Sequence, residues 1–294
     1  MKFGPRNKKD KNSSPNAEQR KIRRLKHIAL LPSFITLMNG ACGFISIFFA
    51  SIDQFAMAGY IIFVAMIADV LDGRVARLTR TTSSFGGQLD SLSDAISFGV
   101  APAFLMLKLI EFHMEYLGFG GLDFSVHLGR ILIICAVFYA MCAVVRLARF
   151  NVENDADESA HMNFSGLPSP AAAGFVTSLV VFHQQIIPAA VDETSRMFHI
   201  VTIAALPLIT LLAGILMVSR IRYPHVANQL LRSKKSPGFI LAIFTTVLLI
   251  VWNINIALVI GFCGFAIFGI VRWIIQGLFR RPIASKKTPP PDES

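Results

Sequence analysis

The chain has 294 residues, 54% of them hydrophobic and only 16% charged, where an average soluble chain carries about 25% charged residues. Its apolar residues come in blocks of about 18 to 24, the length that crosses a hydrocarbon core of about 30 Å, which excludes a water-soluble enzyme and predicts a polytopic membrane protein. The formal charge of +10 gathers at the ends of apolar blocks without interleaved aromatics, so it marks topology and contact with anionic membrane lipids, and nucleic acid is excluded as a partner.

Residues 1–19 mix basic, polar and proline residues without periodicity and are expected to be a disordered tail, as is the segment 279–294 with its run SKKTPPPDES. Between them, 20–278 is expected to be one membrane-embedded domain. The basic N-terminus carries no small-residue cleavage site, so a removable signal peptide is not expected. Within 20–30, Ile22, Leu25, Ile28 and Ala29 fall at helical spacing among Arg20, Lys21, Arg23, Arg24, Lys26 and His27, which predicts an amphipathic helix lying on the membrane surface. Pro32 is expected to bend the chain after it. Apolar blocks then follow at about 34–51, 55–78, 89–110, 129–148, 168–189, 198–218, 238–254 and 257–276, so the fold class is all-α with about eight transmembrane helices. The last two blocks meet near Asn253 and Asn255 at a turn so short that a single broken helix is an alternative.

With eight helices, every Lys and Arg except Lys108, Arg130 and Arg196 falls on the face occupied by the N-terminus. Asp53, Glu111, Glu115, Asp123, Asp192 and Glu193 fall on the other. The positive-inside rule then puts both termini in the cytoplasm and the chain in the cell (inner) membrane. Cys42, Cys135, Cys142 and Cys263 lie inside apolar blocks without CxxC spacing and are packing residues. Asn39 is expected to hydrogen-bond across a helix interface. The seven histidines are scattered and expected to take no part in catalysis.

The second and third blocks contain what a lipid-facing helix should not: Asp69 and Asp72 three residues apart, and Asp90 and Asp94 four apart, each pair on one helix face. A carboxylate near the bilayer centre costs about 2.5 to 3.5 kcal/mol on insertion scales, so four together require cations among them. Two divalent ions would neutralise them. Oxygen-only ligands favour Mg²⁺, Mn²⁺ or Ca²⁺, and a metal pair is the arrangement that clamps a phosphoryl group during in-line displacement. Gly73 and Ala76 lie on the carboxylate face of the first pair and Gly86 lies one turn before Asp90, leaving room for a substrate, while Arg77 suits a diphosphate oxygen.

The string Asp69, Asp72, Gly73, Ala76, Arg77, Gly86, Asp90, Asp94 fits Asp-x2-Asp-Gly-x2-Ala-Arg-x8-Gly-x3-Asp-x3-Asp without a departure. It resembles the signature of the CDP-alcohol phosphatidyltransferase family. The resemblance implies a six-helix catalytic core in which a hydroxyl attacks the phosphorus carrying the lipid and CMP leaves. It also implies roles: Asp69, Asp72, Asp90 and Asp94 as ligands of two metal ions, Asp94 as general base besides, and Gly73, Ala76, Arg77 and Gly86 as the CDP-diacylglycerol site. A positioned carboxylate suits a weakly nucleophilic alcohol, because it accepts the proton as the oxygen attacks.

Within that family the stretch SFGGQLDSLSDAISFGVAPA (84–103) is similar to the phosphatidylserine synthase branch, as are LPSFITLMNGACGF (31–44), VVRLARFN (144–151), FSGLPSPAAAG (164–174) and LMVSRIRYP (216–224). This implies L-serine as acceptor and phosphatidylserine as product. Arg146, Arg149 and Arg222 are the cations available for the serine carboxylate, and Ser93 and Ser97 lie near the face of Asp90; arginines at cytoplasmic helix ends are equally topology anchors, and mid-helix serines commonly bond their own backbone. The rival readings are the same chemistry on choline, glycerol phosphate or an inositol phosphate, and a cation transporter with intramembrane carboxylates. The transporter leaves Gly73, Ala76 and Arg77 unexplained. A homodimer is expected from the polytopic enzyme class alone.

Overall fold

The computed structural model describes residues 15–79, 84–116, 122–156, 166–186, 193–221, 223 and 249–279, and on the first helix it describes side chains from Ser33 onward. All regular structure among these residues is helical. The elements are α1 (Pro15–Ser51), α2 (Phe55–Thr79), α3 (Ser84–Asp94), a π-helical segment Ala95–Val100, α4 (Ala101–Tyr116), α5 (Leu122–Ala156), α6 (Ser169–Ile186), α7 (Glu193–Val218) and α8 (Ile254–Phe279). The segments α3, π and α4 follow one another without a break.

Among the described residues six helical stretches are long and apolar enough to cross a membrane: Ser33–Ser51, Phe55–Val75, Phe85–Met114, His127–Val152, Met197–Val218 and Ile254–Ile275. Their outward faces carry exposed large apolar side chains such as Phe44, Val64, Ile134 and Leu208, which a soluble protein would bury. The chain is an integral membrane protein. The expected span 168–189 appears as α6, whose 18 residues reach about 27 Å. It is the inner helix of the bundle, with Ala172, Ala173, Val176, Thr177 and Val180 fully buried. The expected span 238–254 falls almost wholly outside the described residues. Only a helical turn at 249–252 is seen, and it ends at Asn253, whose Oδ1 accepts the N–H groups of Asn255 and Ile256 at 3.0 and 3.3 Å. This asparagine cap begins α8. Six spans are thus described by length and composition, and the expected block 238–254 lies almost wholly outside the described residues.

The separate surface helix over 20–30 and the bend at Pro32 do not appear, because α1 runs continuously from Pro15 to Ser51. A prolyl ring removes one ladder hydrogen bond, and a helix packed against neighbours tolerates that loss. Pro207 inside α7 is accommodated in the same way.

Two close connections set the bundle. Helices α1 and α2 form an antiparallel hairpin across Ser51–Gln54, where the Gln54 N–H bonds the Phe49 carbonyl at 2.9 Å and Asp53 takes φ 60°, a left-handed conformation that short polar side chains tolerate. The Ser46 hydroxyl then bonds the Ala58 carbonyl at 2.9 Å. At the start of α6, Gly166 has φ 95° and donates to the Ile221 carbonyl at 2.8 Å, while the Leu167 N–H bonds the Leu216 carbonyl at 2.9 Å. Any Cβ at Gly166 would strike the Met217 carbonyl, so only glycine fits. The beginning of α6 is thus stitched to the end of α7, and Tyr223 just beyond it packs on Gly269 of α8.

Candidate active site

Residues 80–83 separate α2 from α3, so the C-terminal end of α2 and the N-terminal end of α3 come to the same end of the bundle. There Asp69, Asp72 and Asp90 bring one carboxylate oxygen each to within 4.8 Å of one another. Asp94, one turn further along α3, is 8% exposed and lies within electrostatic reach of the other three. Two carboxylates 4.8 Å apart repel by about 3.5 kcal/mol at an effective dielectric of about 20. The cluster is therefore unstable as a set of bare anions.

Helix α1 supplies the groups that hold it. Its Thr36 hydroxyl donates to Asp72, which also accepts from the Gly73 N–H of its own helix α2. Asn39, fully buried, donates from Nδ2 to Asp94 Oδ1 at 2.9 Å, and its own backbone carbonyl accepts the Ser97 hydroxyl at 2.7 Å. This requires α1 to press tightly on α3 and the π-helical segment. A Cβ at Gly43 would stand 2.6 Å from Ser97 Oγ and one at Gly40 would stand 3.2 Å from Ser93 Oγ, so glycine at both positions permits the approach.

Two carboxylate oxygens remain without a partner although buried, Asp72 Oδ2 and Asp90 Oδ1. A buried carboxylate oxygen left unpaired is costly, and an oxygen-only set of four aspartates is the donor chemistry of a hard divalent ion. The residues present fit such ions. Arg146 of α5 also reaches this region: its Nη1 donates to Ser169 Oγ at 2.8 Å, it lies within electrostatic reach of Asp94, and its Nε is buried without a partner.

The remaining expected site residues fall as follows. Gly73 faces open space, with nothing within 4 Å of the position a Cβ would take, and Gly86 stands in the first turn of α3, half-buried. Ala76 and Arg77 belong to α2, but their side chains lie outside the described residues, and so does Arg222 altogether. Arg149 is exposed on α5. Ser93 and Ser97 are buried at the α1 interface, where the Ser97 hydroxyl is engaged by the Asn39 carbonyl.

Sequence reasoning missed two features of this region. Asn39 bonds across a helix interface as expected, but its partner is the Asp94 carboxylate; the flanking Gly40 and Gly43 were the available signal that a second helix comes close there. The π-helical segment directly after Asp94 had no sequence signal. Such segments cluster at functional sites, and this one directs the Phe98 carbonyl to the Tyr139 hydroxyl at 3.0 Å.

The CDP-alcohol phosphatidyltransferase family matches residues 29–211. Over 245 residues the chain is 36% identical to a CDP-diacylglycerol--serine O-phosphatidyltransferase of Helicobacter pylori, covering 83% of this chain and 91% of that one. It is 31% identical over 206 residues to a protein of the same name from Methanocaldococcus jannaschii, covering 70% and 79%. It is also 31% identical over 198 residues to an archaetidylserine synthase of Methanothermobacter thermautotrophicus, covering 67% and 70%.

Proposed function

The chain belongs to the CDP-alcohol phosphatidyltransferase family, and from that premise we propose that it transfers the phosphatidyl group of CDP-diacylglycerol to the hydroxyl of L-serine, giving phosphatidylserine and CMP. The names of the similar proteins have serine in common. The observation that carries the chemistry is the convergence of Asp69, Asp72 and Asp90 within 4.8 Å beside a buried Asp94 held by Asn39.

Two divalent cations bound by Asp69, Asp72, Asp90 and Asp94, Mg²⁺ or Mn²⁺ by the hardness of the donors, supply charge neutralisation for the diphosphate. By the family signature Gly73, Ala76, Arg77 and Gly86 receive the nucleotide, and the open space beside Gly73 leaves room for it. Asp94 acts as general base. The Asn39 amide occupies its Oδ1, so Oδ2 is the oxygen that accepts the serine hydroxyl proton as the Ser–O–P bond forms and the bond from phosphorus to the CMP oxygen breaks. Arg146 receives the serine carboxylate: its Nε is a buried donor without a partner, the residue is close enough to Asp94 for their charges to interact, and Ser169 fixes the guanidinium through Nη1. Arg149 and Arg222 are secondary candidates for the same carboxylate, while Ser93 of α3 and Ser97 of the π-helical segment, the weaker acceptor candidates, face α1. By the distribution of Lys and Arg, the site and both termini face the cytoplasm.

The test is CMP release by the purified protein from CDP-diacylglycerol, with serine, choline, glycerol phosphate or inositol phosphate as acceptor and with Mg²⁺, Mn²⁺ or Ca²⁺ present. Release that depends on serine and is abolished by chelation is expected. Release with glycerol phosphate and none with serine overturns the acceptor, and ion flux without CMP release overturns the enzyme.

A further inference from the structure

At the end of the bundle away from the aspartates, His113 of α4, His183 of α6 and His199 of α7 come together, all less than a tenth exposed. Asp94 and His113 lie on one continuous helical rod and are 19 residues apart, so the two clusters are separated by about 28 Å at the helical rise. The three rings form a closed triangle with centroid separations of 5.1, 4.9 and 4.2 Å, and one nitrogen from each lies within 4.8 Å of the others.

We propose that these three imidazoles bind one ion of the Zn²⁺ class, a borderline-soft first-row divalent cation, as a structural staple between α4, α6 and α7. Hydrogen bonding fixes the required tautomer at one corner. His113 Nδ1 is 2.8 Å from the Leu109 carbonyl, which can only accept, so Nδ1 carries the proton and Nε2 presents its lone pair. An imidazole whose other N–H is held by a backbone carbonyl is the usual outer arrangement of a metal-binding histidine. His183 Nε2 and His199 Nδ1 stand 3.3 Å apart. That is also the separation of two nitrogens held tetrahedrally about 2.0 to 2.1 Å from Zn²⁺, which is about 3.3 Å. Gln184 approaches His183 Nδ1 at 3.3 Å; turning the amide over exchanges its donor for its acceptor, so it serves the His183 tautomer that leaves Nε2 free for the ion. Three imidazoles leave one tetrahedral position for water. Imidazole nitrogen selects this class of ion over the hard ions that suit the carboxylates, so the two sites sort metals by ligand chemistry.

The test is a Co²⁺ titration of the full-length protein in detergent with saturating Mg²⁺, followed by visible absorption. One equivalent of Co²⁺ with the intense bands of tetrahedral coordination, displaced by Zn²⁺, is expected. His113→Gln and His199→Gln should each weaken binding about a hundredfold or more, beyond what loss of an outer-shell partner costs, while Asp90→Asn should leave the bands intact. Zn²⁺ should raise the Tm of the wild-type chain and leave that of His199→Gln unchanged, with serine-dependent CMP release retained in both histidine variants. Absence of tetrahedral bands in the folded wild-type chain overturns the proposal in favour of a hydrogen-bonded histidine chain, a result that does not depend on any variant folding. Bands that persist in both histidine variants or vanish in Asp90→Asn overturn it too.

Discussion

Asp94 is the residue on which the proposed chemistry turns, and its surroundings divide its two oxygens between tasks. Asn39 holds one, leaving the other for the proton. Replacing Asp94 with Asn preserves shape and removes basicity, so kcat should fall about 10²- to 10⁴-fold, the usual contribution of a general base, with CDP-diacylglycerol binding retained in an equilibrium assay. Asn39→Leu removes a hydrogen bond to a charged group, for which about 1.5 to 3 kcal/mol is typical. It should lower kcat about 10- to 100-fold without changing which acceptor is used. Arg146→Ala should raise the KM for serine more than the KM for CDP-diacylglycerol; equal increases in steady-state kinetics would make Arg146 a packing residue. The aspartates were legible from spacing because i,i+3 and i,i+4 pairs share a helix face whatever the helix packs against. Asn39 was legible only as a polar residue needing some partner, since nothing local chooses between a backbone carbonyl and a carboxylate on another helix.

Single helices carry the site by how closely they approach one another. Helix α1 lies against α3 and the π-helical segment at Gly40 and Gly43, and this approach is what brings Asn39 to Asp94 and the Ser97 hydroxyl to the Asn39 carbonyl. Gly43→Ala would force a methyl group to 2.6 Å from Ser97 Oγ and 2.7 Å from its Cα. Overpacking of this kind costs about 1 to 3 kcal/mol. The variant should melt several degrees lower in detergent and lose activity along with the Asn39 contact, whereas Gly73→Ala, which meets open space, should leave Tm unchanged. Element existence was readable from apolar block length, because the bilayer demands it. Element boundaries were less so: α1 continues through Pro32, and α3 passes through a π-helical turn into α4, because neighbouring helices compensate for local ladder defects that hydropathy does not register.

Across the whole molecule, the bundle places carboxylates at one end and imidazoles at the other, joined by the continuous rod of α3, the π-helical segment and α4. Orientation in the membrane follows from charge: Gln54, exposed in the turn between α1 and α2, should lie on the extracytoplasmic side. Gln54→Cys should react with a membrane-impermeant maleimide in intact cells beyond the labelling of the parent chain, whose Cys135 and Cys142 are buried and whose Cys42 and Cys263 are half-buried within membrane-spanning helices, and labelling only after lysis would invert the topology. The sequence by itself determined the membrane class, the helix faces bearing Asp69, Asp72, Asp90 and Asp94, and the family, because each depends on composition or on spacing within one or two adjacent helices. Only the tertiary structure decided that Asn39 holds Asp94, that Arg146 reaches the same place, and that His113, His183 and His199 meet. Those contacts join residues 16 to 86 positions apart on helices whose rotation and depth are settled by packing, and periodicity along one helix carries no information about which face of another it will meet.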